Sequence, residues 1–350
     1  MWKHLACLED GSTKVEAALV ERALLVSSSV PLRALSSAVL NGGPRRVRYI
    51  INYQVPKNYR ARNPKRTLIR AAQRLGIPVR ETAGLMTAAN MRNAVVKVFR
   101  AEDVEFLLAV TAGVSNAIAI GDAPPRAVGT INVIVIVNAN LPYPCLVEAA
   151  KTITEGKADA MRLLDVRSPT SRLPAVGTST DSLVVACTGQ GSKIRYAGLA
   201  TSLGSLLGKA TRDLVLQAVE RQDGLSWSRS ADKKLFERGI LLDDLLQRAV
   251  TVLRVRSRST EPDKLKNSVL KLLKHPATSS LMAAALRADD DLLASSSKEA
   301  MKLMGEAIAR YFSGDEGSKV FQKLALHIRL NTYTEWLLAG LAAGVLASTP

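Results

Sequence analysis

Three absences narrow what this 350-residue chain can do. Histidine is scarce: only His4, His275 and His327 occur, and none falls between Thr111 and Asp181, where the polar motifs gather. A Ser–His–Asp or Cys–His nucleophile needs an imidazole beside the attacking group, so neither set is expected in that block, and neither is a His-rich zinc site. Cysteine is scarce too. Cys7, Cys145 and Cys187 form an odd set without metal-ligand spacing, which predicts reduced thiols and a cytoplasmic protein. The opening MWKHLACLEDGS carries early acids and no long apolar core of a secretory signal. Long apolar runs are also missing. None reaches the ~18 residues of a membrane span. Trp336 to Ala347 comes closest and reads as a buried terminal helix, with Gly340 and Gly344 four apart for close packing.

Aromatics make up only 4% of the chain, so the core must come from Leu, Val, Ile and Ala, and stacking platforms for nucleic acid are few. Acids are absent from Pro44 to Arg80, a stretch with eleven Lys or Arg in a chain of net charge +17. A solvated basic face is the plain reading. Contact with an anionic ligand, or with nucleic acid helped by Tyr49, Tyr53 and Tyr59, are the alternatives.

What is present divides in two. Residues 1–225 mix strand and helix patterns. RALLVSSS (22–29), RVRYIINYQV (46–55), NAVVKVFRA (93–101), VEFLLAVTA (104–112), GTINVIVIVNA (129–139), DSLVVACTG (181–189) and KIRYAGLAT (193–201) read as strands. INVIVIV is so uniformly apolar that it should lie centrally, covered on both faces. Pro31–Leu40, Pro64–Leu75, Pro142–Leu164 and residues 202–222 read as helices, the second closed by Gly76. A polar linker follows at 226–234. Residues 235–350 carry about five helices and no convincing strand, with Gly314 and Gly317 bracketing a turn. The expected fold is an α/β or α+β layered domain, a mixed sheet covered by helices, followed by a smaller all-α domain.

The chemistry concentrates in Thr111–Asp181. Hydroxyls, amides and acids set against buried elements need partners, and a polar ligand can supply them. On the helix from Pro142, Glu148, Thr152, Glu155 and Asp159 share one face. The like charges Glu155 and Asp159, four apart, cost a few tenths of a kcal/mol in an isolated helix. They read either as paired carboxylates that activate water or hold a cation, or as a solvated acidic stripe. Gly177-Thr-Ser-Thr-Asp181 precedes an apolar strand. It is either an ordinary turn or an oxyanion cradle with a hydroxyl nucleophile. Asn116, Asp122 and Asn132 either orient a substrate amide or tie loops together. A carboxylate acting on water is the most economical route to amide hydrolysis; a Thr or Ser attack assisted by Asp or Lys is second.

The block also resembles the adenosylcobinamide amidohydrolases of corrinoid salvage. The resemblance rests on Thr111-Ala-Gly-Val-Ser-Asn116-Ala, Gly121-Asp122, Gly129-Thr-Ile-Asn132, Thr154-Glu155-Gly-Lys157-Ala and Gly177-Thr-Ser-Thr-Asp181. Upstream, Ser37-Ala-Val-Leu-Asn41-Gly-Gly43 and Gly84-Leu-Met-Thr87 fit as well. It implies hydrolysis of the amide that carries the aminopropanol arm, with a corrinoid as substrate and adenosylcobyric acid as product. It also implies a catalytic group drawn from Glu155, Asp181, Thr178, Thr180 and Asn116, and substrate contacts from Asp122, Asn132, Asp159, Asn41 and Thr87. No residue is assigned to a metal, although a divalent ion held by Glu and Asp stays open. A homo-oligomer is compatible with this reading. A non-catalytic corrinoid-binding protein and a nucleic-acid-binding protein are the rivals. The helical part more faintly resembles the phosphatidylglycerophosphatase A-like group, which includes an archaeal α-ribazole-phosphate phosphatase. The match is at Arg238-Gly-Ile-Leu-Leu-Asp-Asp244-Leu; residues 321–350 depart from it. It implies a bifunctional chain in which Asp289, Asp290 and Asp291 are metal or proton-transfer candidates, against the alternative of a charged helix end.

Overall fold

The computed structural model describes residues 2–11, 13–101, 104–125, 129–226, 228–253, 262–290 and 298–348. The chain forms two compact units, Met1–Ser228 and Arg229–Pro350.

The first unit is built on one mixed sheet. Its strands are β1 (Trp2–Asp10), β2 (Thr13–Val20), β3 (Ala23–Ser36), β4 (Gly43–Gln54), β5 (Thr82–Thr87), β6 (Val95–Ala101) and β7 (Val104–Thr111). Beyond the short β8 (Ala117–Ile118) come β9 (Asn132–Val137), the short β10 (Gly177–Thr178) and β11 (Ser182–Cys187). The spatial order is β1-β2-β3-β11-β9-β7-β6, with β4 pairing both β3 and β5, while β8 and β10 form a separate two-stranded ladder. β3 organises the whole. Its first half pairs β2 along one edge, its second half pairs β11 along that same edge, and β4 runs along the other. The pairing register shifts between Ser27 and Leu32, so the strand bends there. The bend curls the sheet until β1 lies against β6 and β7, a nearly closed barrel.

Side-chain alternation then fills two sides. Leu24, Val26, Ile50, Leu107, Ile134, Ile136 and Val184 fill the barrel interior. Val133, Val135, Val137, Val185 and Cys187 point outward beneath α2 (Tyr143–Leu163) and α3 (Ser202–Asp223). The apolar run of β9 is thus covered on both faces, as its sequence predicts. A smaller cluster buries α1 (Pro64–Arg74) against β4.

Two expectations are corrected. Pro31–Leu40 is not a helix: β3 continues to Ser36. Proline lacks the N–H that a ladder needs, and Pro31 falls in the stretch between Ser27 and Leu32 where the register slips. Residues 193–201 are not a strand either, and only Lys193 makes an isolated bridge, to Asn140. Side chains of α2 satisfy this segment instead: the Glu148 carboxylate accepts from the Ala197 N–H at 2.8 Å, and the Thr152 hydroxyl donates to the Ala197 carbonyl at 2.9 Å. The hairpin β1–β2 and the strand β5 were not expected.

The second unit is helical, with no strand among the described residues: α4 (Ala231–Glu237), α5 (Leu242–Leu253), α6 (Pro262–Leu272), α7 (Pro276–Asp290), α8 (Lys298–His327) and α9 (Tyr333–Ala347). α8 is broken at Ser313 and Gly314, where the glycine adopts φ +56. α9 starts in a capping box of Thr332 and Glu335 and is buried along most of its length. No helix among the described residues is long and apolar enough to cross a membrane.

Candidate functional site

The motif loops converge where β9 and β11 begin. These two strands are parallel neighbours, with Asn132 beside Ser182. Parallel pairing brings the segments that enter them, 129–131 and 177–181, side by side. The centre of the group is the Asp181 carboxylate. Its Oδ1 accepts the Thr178 hydroxyl at 2.5 Å and the Ile131 N–H at 2.9 Å. Its Oδ2 accepts the Thr178 N–H at 3.1 Å and the Lys157 ammonium at 2.5 Å. Four donors fill the lone-pair positions of one carboxylate. Gly177 is required for this: a Cβ there would strike Asp181 Oδ2 and come within 2.6 Å of Lys157 Nζ.

A ring of hydroxyls backs the carboxylate. Thr180 donates to the Gly129 carbonyl and meets the Thr130 hydroxyl, each at 2.8 Å. Asn116 donates to the Ser179 hydroxyl at 2.8 Å. Its Oδ1 is buried without a hydrogen-bond partner and crowds the position where Gly129 would carry a side chain.

The Lys157–Asp181 pair looks into an open cleft of about 450 Å³ between α2, the end of β3 and the starts of β9 and β11. Its walls include Ser36, Ser37, Ile131, Ile153, Thr154 and Leu183. The pair is shielded, with side chains 15% and 16% exposed, so it is screened less than a surface ion pair. One carboxylate already bridged by an ammonium is a poor donor set for a divalent ion, which prefers several oxygens.

Of the residues singled out in the sequence, Asn116, Thr178, Thr180 and Asp181 meet here, and of these Asp181 alone lines the cleft. The others lie elsewhere. Glu155 is exposed on α2, outside the cleft lining. Asp159 pairs with Arg162 at 2.8 Å and with Arg212 of α3 at 3.6 Å, so the two acids do not form a paired site. Asn41, at φ +55, donates to the carbonyls of Val79 and Thr82 at 2.7 and 2.8 Å and ties the turn after β3 to β5. The Thr87 hydroxyl accepts from the Ala89 N–H. Asn132 points into the barrel interior and donates to Asn52 and to the Met86 carbonyl at 2.9 and 2.8 Å. The Asp122 carboxylate accepts the hydroxyls of Ser168 and Ser171, which hold its carboxyl below the usual range. Cys145 is no nucleophile: burial, helped by Glu148 and Cys187, pushes its thiol up to about 11.

The reading of the sequence gave Lys157 no role, although it lies inside the TEGKA motif. A usable signal existed: Ala150, Ile153, Thr154 and Lys157 recur at helical spacing and form the side of α2 that lines the cleft.

In the second unit the candidate acids are engaged as helix ties. The Asp289 carboxylate accepts the N–H groups of Tyr333 and Thr334 at 2.6 and 3.1 Å and so caps α9. Asp290 pairs with Arg238 at 3.2 Å. Asp291 lies outside the described residues.

The site is thus a shielded carboxylate–ammonium pair at the open end of a curled α+β sheet. The family model for adenosylcobinamide amidohydrolase matches residues 9–227, and the chain belongs to that family of hydrolases. A relative named adenosylcobinamide amidohydrolase, from Methanosarcina mazei, is 37% identical over 185 residues, covering 50% of this chain and 84% of the relative. An uncharacterized protein of Methanocaldococcus jannaschii is 32% identical over 205 residues, covering 52% of this chain and 80% of its own. The crystal structure of the PH0078 protein from Pyrococcus horikoshii is 13% identical and overlays with a TM-score of 0.30 across 64% of this chain and 84% of its own.

Proposed function

We propose that the Asp181 cleft hydrolyses the amide that joins aminopropanol to adenosylcobinamide, releasing adenosylcobyric acid and aminopropanol. The observation that carries this reading is the Lys157–Asp181 pair facing an open cleft, in a chain of the adenosylcobinamide amidohydrolase family. About 450 Å³ accommodates one amide arm but not a whole corrinoid, so the macrocycle stays at the mouth. There Val147 and Tyr143, one and two turns before Ala150 on α2, offer exposed apolar surface.

The mechanism follows from the four donors on Asp181. Three are fixed: the Thr178 and Ile131 N–H groups belong to the backbone, and the Thr178 hydroxyl sits in a nearly buried turn. Lys157 alone stands on a rotatable stem. When the substrate carbonyl enters, Lys157 turns to its oxygen and uncovers one lone pair of Asp181 Oδ2. The freed carboxylate takes a proton from water, whose oxygen attacks the carbonyl carbon while the ammonium stabilises the developing oxyanion. The C–N bond then breaks, the amine leaves with the proton held by Asp181, and the carboxylate is restored. Thr178, Thr180 and Asn116 act as positioning groups beneath it.

The test is incubation of the purified chain with adenosylcobinamide, followed by chromatographic and mass separation of the corrinoids. Adenosylcobyric acid and aminopropanol in equal amounts are expected, and their loss in Asp181→Asn. Intact cobinamide with wild-type protein that still binds it would replace this reading with that of a corrinoid-binding protein.

A further inference from the structure

The barrel edge holds a second cluster of chemistry, unrelated to the cleft. β1 and β2 form an antiparallel hairpin in which Leu8 and Val15, and Ala6 and Ala17, alternate as inward pairs. In an unbroken strand the period of two puts His4 on the same inward side as Ala6 and Leu8, and Cys7 on the opposite one. The register shifts between His4 and Ala6, leaving Leu5 as the extra residue. That one-residue bulge turns His4 outward: it now pairs with Ala18, on the same face as Cys7 and its partner Glu16. The result is a histidine, a thiol and a carboxylate whose ligand atoms all lie within 4.8 Å of one another. His4 Nε2 stands 3.9 Å from Glu16 Oε1. Lys14 contacts that same oxygen at 2.7 Å, on a side chain free to turn outward.

We propose that His4, Cys7 and Glu16 bind a thiophilic divalent cation, zinc by donor preference, and that the ion staples β1 to β2. Imidazole nitrogen, thiolate sulfur and carboxylate oxygen are the three ligand types zinc takes, and rotation of these partly exposed side chains would close their separations to the shorter spacing that tetrahedral bonds of about 2.0–2.3 Å require. Calcium and magnesium, which require oxygen ligands, are excluded by the same set. Three protein ligands leave one position for water. Because β1 is the strand that closes the barrel against β6 and β7, the staple acts on the closure itself.

The experiment is a titration of the reduced full chain with cobalt(II), then zinc, read by absorbance and thermal denaturation. Wild-type protein should bind one cobalt with a thiolate-to-cobalt charge-transfer band, lose the band to added zinc, and melt higher with zinc than without. Cys7→Ser should abolish the band, since Cys145 and Cys187 are fully buried and neither belongs to a metal-ligating cluster among the described residues. His4→Ala and Glu16→Gln should each weaken binding by more than the roughly 10–100-fold that loss of an outer-shell partner costs. All three variants should keep wild-type amidohydrolase turnover, which separates this site from the cleft. No band in the wild type, or a band undiminished in Cys7→Ser, overturns the proposal. So does a zinc-induced rise in melting temperature that persists in all three variants.

Discussion

The two sides of α2 look alike as patterns and differ completely in use. One presents Ala150, Ile153, Thr154 and Lys157 to the cleft. The other presents Glu148, Thr152, Gly156 and Asp159 to the 194–199 segment and to α3. The side rich in acids is the structural one: each polar group on it satisfies a backbone group or an arginine. In the mechanism proposed above the side with a single charge carries the chemistry, because that lysine meets a carboxylate delivered by a different element. On that reading a catalytic face is recognised by what the partner element brings, and counting titratable groups on one helix misses it.

The sharpest way to break this contrast is at the carboxylate. Asp181→Asn is close in size, removes the proton acceptor and turns an amide N–H toward two of the four donors. Turnover per folded molecule should fall by about 10²–10⁴-fold, the usual contribution of a general base. The urea midpoint should drop, with about 1–3 kcal/mol of stability lost for donors left unpaired, while circular dichroism keeps the wild-type shape. Lys157→Met comes next, with a loss of about 10²–10³-fold in kcat expected for one oxyanion donor. The double variant Asp181→Asn with Lys157→Met should be little worse than Asp181→Asn alone, because the two groups act on one step. Losses that multiply in full would mean that the two side chains work independently and that Lys157 does not uncover Asp181.

On the opposite side the effect should appear in stability. A Cβ at Gly156 would sit 2.5 Å from the Gly208 carbonyl and 3.2 Å from Thr211 Cβ. Gly156→Ala forces α2 and α3 apart, at about 1–3 kcal/mol for overpacking of this kind. The urea midpoint should drop while kcat of the folded protein stays near wild type. A lost kcat with an unchanged midpoint would show that the α2–α3 spacing sets the position of Lys157, and the two sides would no longer be separable.

Much of this was legible before any coordinates. The uniform run of β9, the helices α2 and α3, and the turn at 177–181 each carry a local signature: a period, a proline start, a cluster of turn residues. The parts that were not legible are choices between equal local options. Helical spacing groups Glu148 with Asp159 and Ala150 with Lys157, but does not say which group meets the sheet; close contact of Gly156 with α3 decides that. Pro31 reads as a helix start until a register slip in β3 gives it a place with no ladder bond to lose. His4 and Cys7 lie on opposite sides of an unbroken strand, and only the bulge joins them. In each case a long-range partner settled what sequence spacing left open.

The smallest expected effect is the most discriminating. Glu155 lies in the TEGKA motif, two residues before Lys157, and reads from sequence as a general base. In the fold it is exposed and takes no part in lining the cleft. An exposed side chain without a structural task changes energies by at most about 0.5 kcal/mol on substitution, so Glu155→Gln should alter turnover by no more than about twofold. The measurement is kcat and KM for adenosylcobinamide on the same preparation as Asp181→Asn. A loss of several hundredfold in kcat with KM unchanged would make Glu155 the base, and α2 would have to turn its outer edge toward the substrate. A rise in KM alone would instead place Glu155 at the rim that meets the macrocycle, leaving the carboxylate–ammonium pair as the reacting centre.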